Sequence, residues 1–404
     1  MKRKVLFVDD EPKILQGLQR MLRNMRGEWE MGFAESGLKA LDMMRDRSFD
    51  VVVADMRMPG LDGCQLLGKV KELHPQMVRI ILSGYSDRKT VLDSIRLAHQ
   101  YLSKPCDAET LKSTVSRACA LRDLLADESL ISLVSRIDSL PSLPSLYSDL
   151  LAELESTESS IQKVGEIIAK DVAMTAKILH LANSAFFGLG QHVVNIHRAL
   201  NCLGMETVKA LVLTVHIFTE YRMAAEKGFP ISALWDHSIA TGSFAKAIAR
   251  EENQEPGVVS DIFMAGLLHD VGKLVLAVSL PEKYREVMRL VNEAEKTYYE
   301  SELEVLGTTH AQVGAYLMGL WGLADVIVEA IAFHHAPGQC PISGFGPVTA
   351  VHVADVLENG KCSDDLEPFI HLLDLDHLEN AKLAERLAQW KTTCREMVIE
   401  GAEL

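Results

Sequence analysis

The sequence predicts a multidomain α/β plus all-α protein: a doubly wound domain with a five-stranded parallel sheet over residues 1–122, then an all-helical domain over residues 141–385. Three observations carry this reading. Short Val/Ile/Leu-rich runs alternate with helical patterns as far as residue 122, and strands alternating with helices of 10 to 15 residues make βαβ units. Amphipathic runs with a period near 3.6 take over after Leu143. A length of 404 residues exceeds what one hydrophobic core normally serves.

In chain order, the buried-strand runs are residues 5–8, 51–54, 78–82 and 101–103. Helical patterns lie between them at 13–25, 37–47, 63–73 and 87–99. A last helix starts near Asp107, with apolar residues at Leu111, Val115, Ala118, Leu121 and Leu125, and its pattern continues to Ile137. This predicts a helical linker over 123–140. Leu140-Pro141-Ser142-Leu143-Pro144 stops it, because each proline lacks an N–H and restricts the residue before it. Helices are then expected at 146–154, 161–168 and 174–182. The segment 380–400 reads as one more exposed helix, with 386–404 set apart as a C-terminal helix or tail.

Composition narrows the functional classes. Forty-one basic against 56 acidic residues give a formal charge of −15 at pH 7, without a Lys/Arg cluster. Binding to the phosphates of nucleic acid needs a basic stripe, so no direct nucleic-acid partner is expected. Seven cysteines without a CxxC pair point to reduced thiols and a cytoplasmic chain. The first apolar run is four residues long and is followed by acids, which excludes a signal peptide from the expectations. No stretch approaches roughly 18 uninterrupted apolar residues, so neither a span nor a membrane partner is expected.

Polar residues follow the strand runs: Asp9 and Asp10, Asp55, Ser83, then Lys104 and Pro105. Parallel strand ends converge on one rim, and ligands bind beyond their carboxyl ends. Any single aspartate there could be a solvated loop residue, but the positions agree as a set. Asp10 and Asp55 suit Mg2+, which takes oxygen ligands including one or two carboxylates. Asp55 also suits nucleophilic attack on phosphorus. Lys104 offers a point charge to phosphoryl oxygens, and Ser83 a hydrogen bond that exists only once phosphate is present.

VDDEP (8–12), DMRMPGLDG (55–63), LSGYSD (82–87) and YLSKP (101–105) resemble the receiver domain of two-component response regulators. The resemblance implies phosphorylation of Asp55 by a sensor histidine kinase. It further implies Mg2+ held by Asp9, Asp10, Asp55 and the Arg57 backbone carbonyl, with Lys104, Ser83 and Tyr101 as the switch group. A cis Lys104–Pro105 bond also belongs to that family.

In the second domain, His237, His269, Asp270, His310, His334, His335 and Asp355 sit on or beside helical patterns. Imidazole and carboxylate are ligands for Fe, Mn or Zn, and facing helices can project them into one core. Lys273 could meet a phosphate, Gly272 permits a break, and a bound metal would activate water against a phosphoester. A buried histidine is more often simply hydrogen-bonded, and His180, His197 and His216 are read that way. SLPSLPSLYSDLL (139–151), IIAKDVAMTAKILHLANSAFFG (167–188), HRALNCLGMETVKALVL (197–213), AGLLHDVGKLVL (265–276) and AIAFHHAP (330–337) resemble the HDOD domain, an output module related to the HD phosphohydrolases. That resemblance implies signalling by protein contact with an unidentified downstream protein, without a common reaction. The histidine and aspartate order also resembles HD-GYP cyclic di-GMP phosphodiesterases. Their Gly-Tyr-Pro is missing, since Ala-Pro-Gly-Gln-Cys-Pro follows His335, and Ala233 stands where a carboxylate would be needed.

The expectation is therefore a response regulator acting through protein–protein interaction. The alternative is a phosphorylation-gated, metal-dependent phosphohydrolase acting on a nucleotide or cyclic di-GMP. A homodimer assembled by the second domain is a third arrangement.

Overall fold

The computed structural model describes residues 2–84, 97–121, 128–135, 144–156, 158–183, 193–205, 229–293, 296–340, 344–360 and 372–401, with isolated positions 125, 137, 141, 142, 208, 219 and 220. The first domain builds β1 (Arg3–Val8), α1 (Pro12–Met21), β2 (Trp29–Ala34), α2 (Gly37–Asp46), β3 (Val51–Asp55), α3 (Gly63–Leu73), β4 (Val78–Gly84), β5 (Gln100–Lys104) and α4 (Ala108–Leu121). All five strands are parallel, in the order β2-β1-β3-β4-β5, with Val5 opposite Val51, Val51 opposite Val78 and Ile80 opposite Gln100. Strand order reverses between β1 and β3, so the crevice opens at their carboxyl ends, where Asp9 and Asp55 stand.

Local chemistry explains the element starts. Ser36 caps α2 through Lys39 N, and Asp62 with Gln65 forms a reciprocal capping box on α3. The edge strand β2 lies outside the apolar runs, because Trp-Glu-Met-Gly-Phe-Ala breaks its apolar residues with Glu30 and Gly32 and is only partly buried. The helix expected over 13–25 stops at Met21 and tightens into a 3-10 turn over Arg23–Gly27. The helix expected over 87–99 lies mostly outside the described residues.

Much of the expected helical linker over 123–140 lies outside the described residues. α4 ends at Leu121 and a separate α5 covers Glu128–Val134, with Leu125 between them non-helical yet buried. At Leu125 the apolar spacing reports burial rather than helix, since tertiary packing can override the local period.

The second domain contains α6 (Pro144–Glu155), α7 (Ile161–Ile168), α8 (Val172–Asn183), α9 (Ile196–Leu203), α10 (Ile231–Glu251), α11 (Pro256–Leu268), α12 (Val271–Ser279), α13 (Pro281–Glu293), α14 (Tyr298–Leu306), α15 (His310–Leu320), α16 (Asp325–Phe333), α17 (Pro347–Asn359), α18 (Leu375–Asn380) and α19 (Leu387–Gly401). One departure from an all-helical domain is a two-residue parallel pairing of Pro141–Ser142 with Thr219–Glu220. Proline fits this extended, paired backbone at Pro141, since its fixed φ suits a strand edge.

Around the core, α10 packs on α11 and α17, α12 on α15, and α15 on α16. The span Pro256–Ser279 has a mean hydropathy of 1.6, apolar enough by composition to cross a membrane, but is 78% buried and is interrupted at His269–Asp270. The segment expected to be one more exposed helix does form a helix, but one of its faces is buried. On α19, Trp390 and Cys394 are fully buried, and Trp390 Nε1 donates to Glu252 Oε1 at 2.9 Å. The six described cysteines are free thiols.

Candidate functional site

At the rim of the sheet, Lys104 Nζ lies 2.7 Å from Asp9 Oδ2 and also pairs with Asp55 Oδ1. Asp55 Oδ2 accepts from the Arg57 amide at 2.8 Å, and Asp9 Oδ1 from the Glu11 amide at 2.9 Å. Backbone donors thus aim both carboxylates. Asp9 and Asp55 are buried, whereas Asp10 is half-buried beside them. Burial raises the Asp55 carboxyl above its ordinary range, and Lys104 offsets only part of that rise. Burial works against the Lys104 ammonium, yet hydrogen bonds to Asp55 and Asp9 hold its pKa above normal.

Gly63 closes the site from behind. A Cβ on it would come within 2.2 Å of the Asp55 carbonyl oxygen, so the Asp55–Gly63 loop can fold this tightly only with glycine. Ser83 and Ser103 are register partners on β4 and β5, one residue beyond Leu82, which pairs with Asp55. Tyr101 is buried on β5, and the Lys104–Pro105 bond is cis.

All seven second-domain residues singled out in the sequence come together. They form two adjoining groups, Asp270 with His310, His334 and His335, and His237 with His269 and Asp355. Within each group the ligand atoms lie within 4.8 Å of one another. Asp270 spans the two: its Oδ2 is 3.5 Å from Nε2 of both His237 and His269, while its Oδ1 is 3.1 Å from His310 Nε2. Asp355 Oδ1 lies 3.1 Å from His237 Nε2, and its Oδ2 is 4.0 Å from His335 Nδ1.

The outward nitrogens reveal what this arrangement suits. Nδ1 of His269 faces the Gly266 carbonyl at 2.7 Å, that of His334 the Ile331 carbonyl at 2.8 Å, and that of His310 the Glu302 carboxylate at 2.6 Å. His237 Nδ1 faces Glu358. Each partner is an acceptor, so each Nδ1 carries a proton, and a ring in its neutral form turns a bare Nε2 lone pair inward. His237 and His269 Nε2 are then 3.2 Å apart, and His310 and His335 Nε2 are 3.0 Å apart. Asp270 Oδ1 is buried there without a hydrogen bond. A centre lined by acceptors, with an orphaned carboxylate oxygen, has the chemistry of a cation site.

Protons can take that place in part. Despite burial, hydrogen bonds to Asp355 and Glu358 lift His237 to about 10, and Glu302 with Asp270 lifts His310 to about 8. Burial, reinforced by neighbouring imidazoles, pushes His334 well down and His335 to about 3. The carboxylates of Asp270 and Asp355 are held well below their usual range by histidines and, for Asp270, Lys273, against the opposing effect of burial.

Lys273 is bound to Asp270 Oδ2 at 2.5 Å and lies over the Tyr298 ring. Gly272 does not break a helix, as the sequence had suggested. It lies inside α12, where a Cβ would come within 1.9 Å of the His310 carbonyl oxygen, so it permits α12 and the start of α15 to touch. The break falls instead at His269–Asp270.

Three supporting residues escaped sequence reasoning. Glu302 is fully buried, accepting from the backbone and ring of His310 and from the Tyr284 hydroxyl at 3.0 Å. Glu358 stands three residues after Asp355 on α17, a same-face spacing that could have revealed it. It supplies a carboxylate beside His237, though on the Nδ1 side. His352 donates to the His334 carbonyl at 2.7 Å. His197 is half-buried against Gly165 and outside the cluster, whereas the His180 side chain and all of His216 lie outside what is described.

Comparison with known proteins agrees with this two-part construction. Residues 5–116 match the response regulator receiver domain, and residues 140–337 match the HDOD domain. The chain is a receiver-plus-HDOD protein of the response-regulator class. An uncharacterized protein of Treponema pallidum is 26% identical over 188 residues, covering 46% of this chain and 36% of that protein. The transcriptional regulatory protein ZraR of Escherichia coli O157:H7 is 33% identical over 126 residues, covering 31% of this chain and 28% of ZraR. The chain thus spans about a third of the length of these curated relatives. Among solved structures, the signal receiver domain of an HD domain-containing protein from Pseudomonas fluorescens Pf-5 is 30% identical, covering 30% of this chain and 98% of that one with a TM-score of 0.29. The MmoQ response regulator of Methylococcus capsulatus is 23% identical, covering 63% of this chain and 98% of that one with a TM-score of 0.47.

Proposed function

We propose that this response regulator takes a phosphoryl group on Asp55 from a histidine kinase and passes the change to its HDOD domain, which acts by altered contact with a downstream protein in the cytoplasm. The observation that carries the reading is the Asp9–Lys104–Asp55 constellation at the strand-order reversal. Asp9, Asp10, Asp55 and the Arg57 carbonyl would hold Mg2+, whose charge would offset that of the entering group. Asp55 Oδ1 would form the new O–P bond as the donor's bond breaks. Lys104 would then exchange a carboxylate partner for a phosphoryl oxygen, and Ser83 would gain its conditional hydrogen bond. Labelling with radioactive acetyl phosphate and Mg2+ tests this. Wild type should incorporate label and Asp55→Asn should not; equal labelling of the two would refute it.

The histidine cluster supports a second element of the reading, in which Asp270, His310, His334 and His335 hold one Fe, Mn or Zn ion and His237, His269 and Asp355 another. When bound, such ions would polarise a phosphoester and lower the pKa of water. The same cluster favours the phosphohydrolase alternative, with Lys273 as a phosphate contact. Burial weighs against that alternative: His269 and His310 are 0% exposed, leaving His237 and His335 as the accessible edge. Elemental analysis of the purified protein, followed by phosphodiesterase assays with added Mn2+, separates the readings. Turnover lost in His269→Ala and Asp270→Ala would establish the enzyme, whereas bound metal without turnover supports a signalling role.

A further inference from the structure

The two domains meet through a helical hairpin whose opposite ends do different work. α15 starts at His310, inside the histidine cluster, and runs for 11 residues, or about 16 Å, to the receiver domain. On the way Tyr316 Oη lies 3.0 Å from Ser135 Oγ, just after α5, and at the receiver the Gly319 carbonyl accepts from Gln100 Nε2 at 3.3 Å. The chain turns at Gly322, which has a φ of +77°, and returns as α16. The first residue of α16, Asp325, lies 2.7 Å from Arg117 Nε on α4, and its last turn leads into His334 and His335. The closed end of the hairpin therefore rests on the receiver, and its open end supplies three of the seven cluster residues.

The receiver side of this contact leads back to the phosphoacceptor rim. Gln100 and Tyr101 belong to β5, the strand that ends at Lys104. Tyr101 lines a cavity of about 300 Å³ shared with Arg117, Trp321, Gly322 and Asp325. The interface is also not at its electrostatic optimum. Arg117 Nε faces the Asp325 carboxylate, but its buried Nη2 has no hydrogen-bond partner among the described residues, so the ion pair leaves part of the guanidinium unsatisfied. Ser135, which follows α5, ties the same contact to β4, because its carbonyl accepts from Arg79 Nη2 at 2.8 Å.

We propose that the 310–335 hairpin is a lever that couples the state of Asp55 to the geometry of the histidine cluster, so that phosphorylation loosens the closed end and thereby rearranges His310, His334 and His335. The inference rests on the phosphoacceptor reading for its input and on the metal reading for its consequence. Coupling between sites is reciprocal, so a cation that tightens the cluster would also alter acyl-phosphate formation at Asp55.

Hydrogen–deuterium exchange of the full chain with Mg2+, with and without beryllofluoride as the acyl-phosphate mimic, tests the lever. Peptides from 310–335 should exchange roughly fivefold faster with the mimic, within the usual range of coupling factors. In Gln100→Ala/Arg117→Ala, which spares Asp55 and every cluster residue, receiver peptides should still respond while the hairpin should not. A silent hairpin in wild type, or an unchanged hairpin response in the double variant, would overturn the proposal. Zn2+ release from loaded protein to a chromophoric chelator should accelerate in parallel. A protein that retains no metal would refute the metal reading, and exchange would still decide the lever.

Discussion

At the scale of single residues, the histidine cluster shows how acceptors on the outside determine chemistry on the inside. Glu302 accepts twice from His310, fixing its tautomer and ring. Glu302→Gln keeps the shape but removes the charge, and metal affinity should fall about 10- to 100-fold, as measured by competition with a chelator. A pH dependence follows from the same neighbourhood. His335 is depressed to about 3, so below its ordinary 6.5 the unfolded chain binds a proton that the folded chain refuses. Its contribution to stability is therefore lost as pH falls from 6.5 toward 3. His237, raised to about 10, behaves oppositely: its contribution is complete below 6.5 and fades as pH rises to about 10. In chelator-treated protein, urea midpoints against pH should flatten on the acid side in His335→Asn and on the alkaline side in His237→Asn. Unaltered profiles would contradict these assignments.

At the scale of elements, close approach of helices brings the ligands together. Asp270 immediately precedes α12, His310 begins α15, and Gly272 lets the two backbones touch. Gly272→Ala should destabilise the protein by about 1–3 kcal/mol, because the Cβ forces α12 and α15 apart. Urea denaturation measures the loss, and metal content should fall with it. Much at this scale was readable in the chain: α3, α7 and the strands ending near Asp9, Asp55 and Lys104 follow the expected runs closely. Helix continuity at Leu125 was not readable, because an apolar spacing of three to four residues describes a buried face whether or not the helix continues. Leu125 satisfies the pattern while lying between two helices.

At the scale of the whole molecule, the 310–335 hairpin touches the receiver domain at one end and the histidine cluster at the other, and the Gln100/Arg117 experiment belongs here. Contacts such as Gln100–Gly319 and Ser135–Tyr316 join residues separated by 219 and 181 positions. None involves a recognisable motif. Surface ion pairs contribute little by themselves, so the Arg117–Asp325 pair matters for the register of docking more than for stability. A junction held by few polar contacts, with a cavity and an incompletely satisfied guanidinium, can shift when a charge is added at Asp55.

The sequence by itself determined the two-fold architecture, the strand-end aspartates with Lys104, and the membership of all seven residues in the histidine–aspartate cluster. Those features are local: strand period, rim position and short motifs are written in neighbouring residues. Only the tertiary structure decided that Glu302 and Glu358 orient the histidines, that Gly272 serves packing, that α19 is part of the core, and that one hairpin joins both sites. These depend on which distant surfaces meet, and burial free energy of the whole chain selects those meetings without leaving a period or spacing to read.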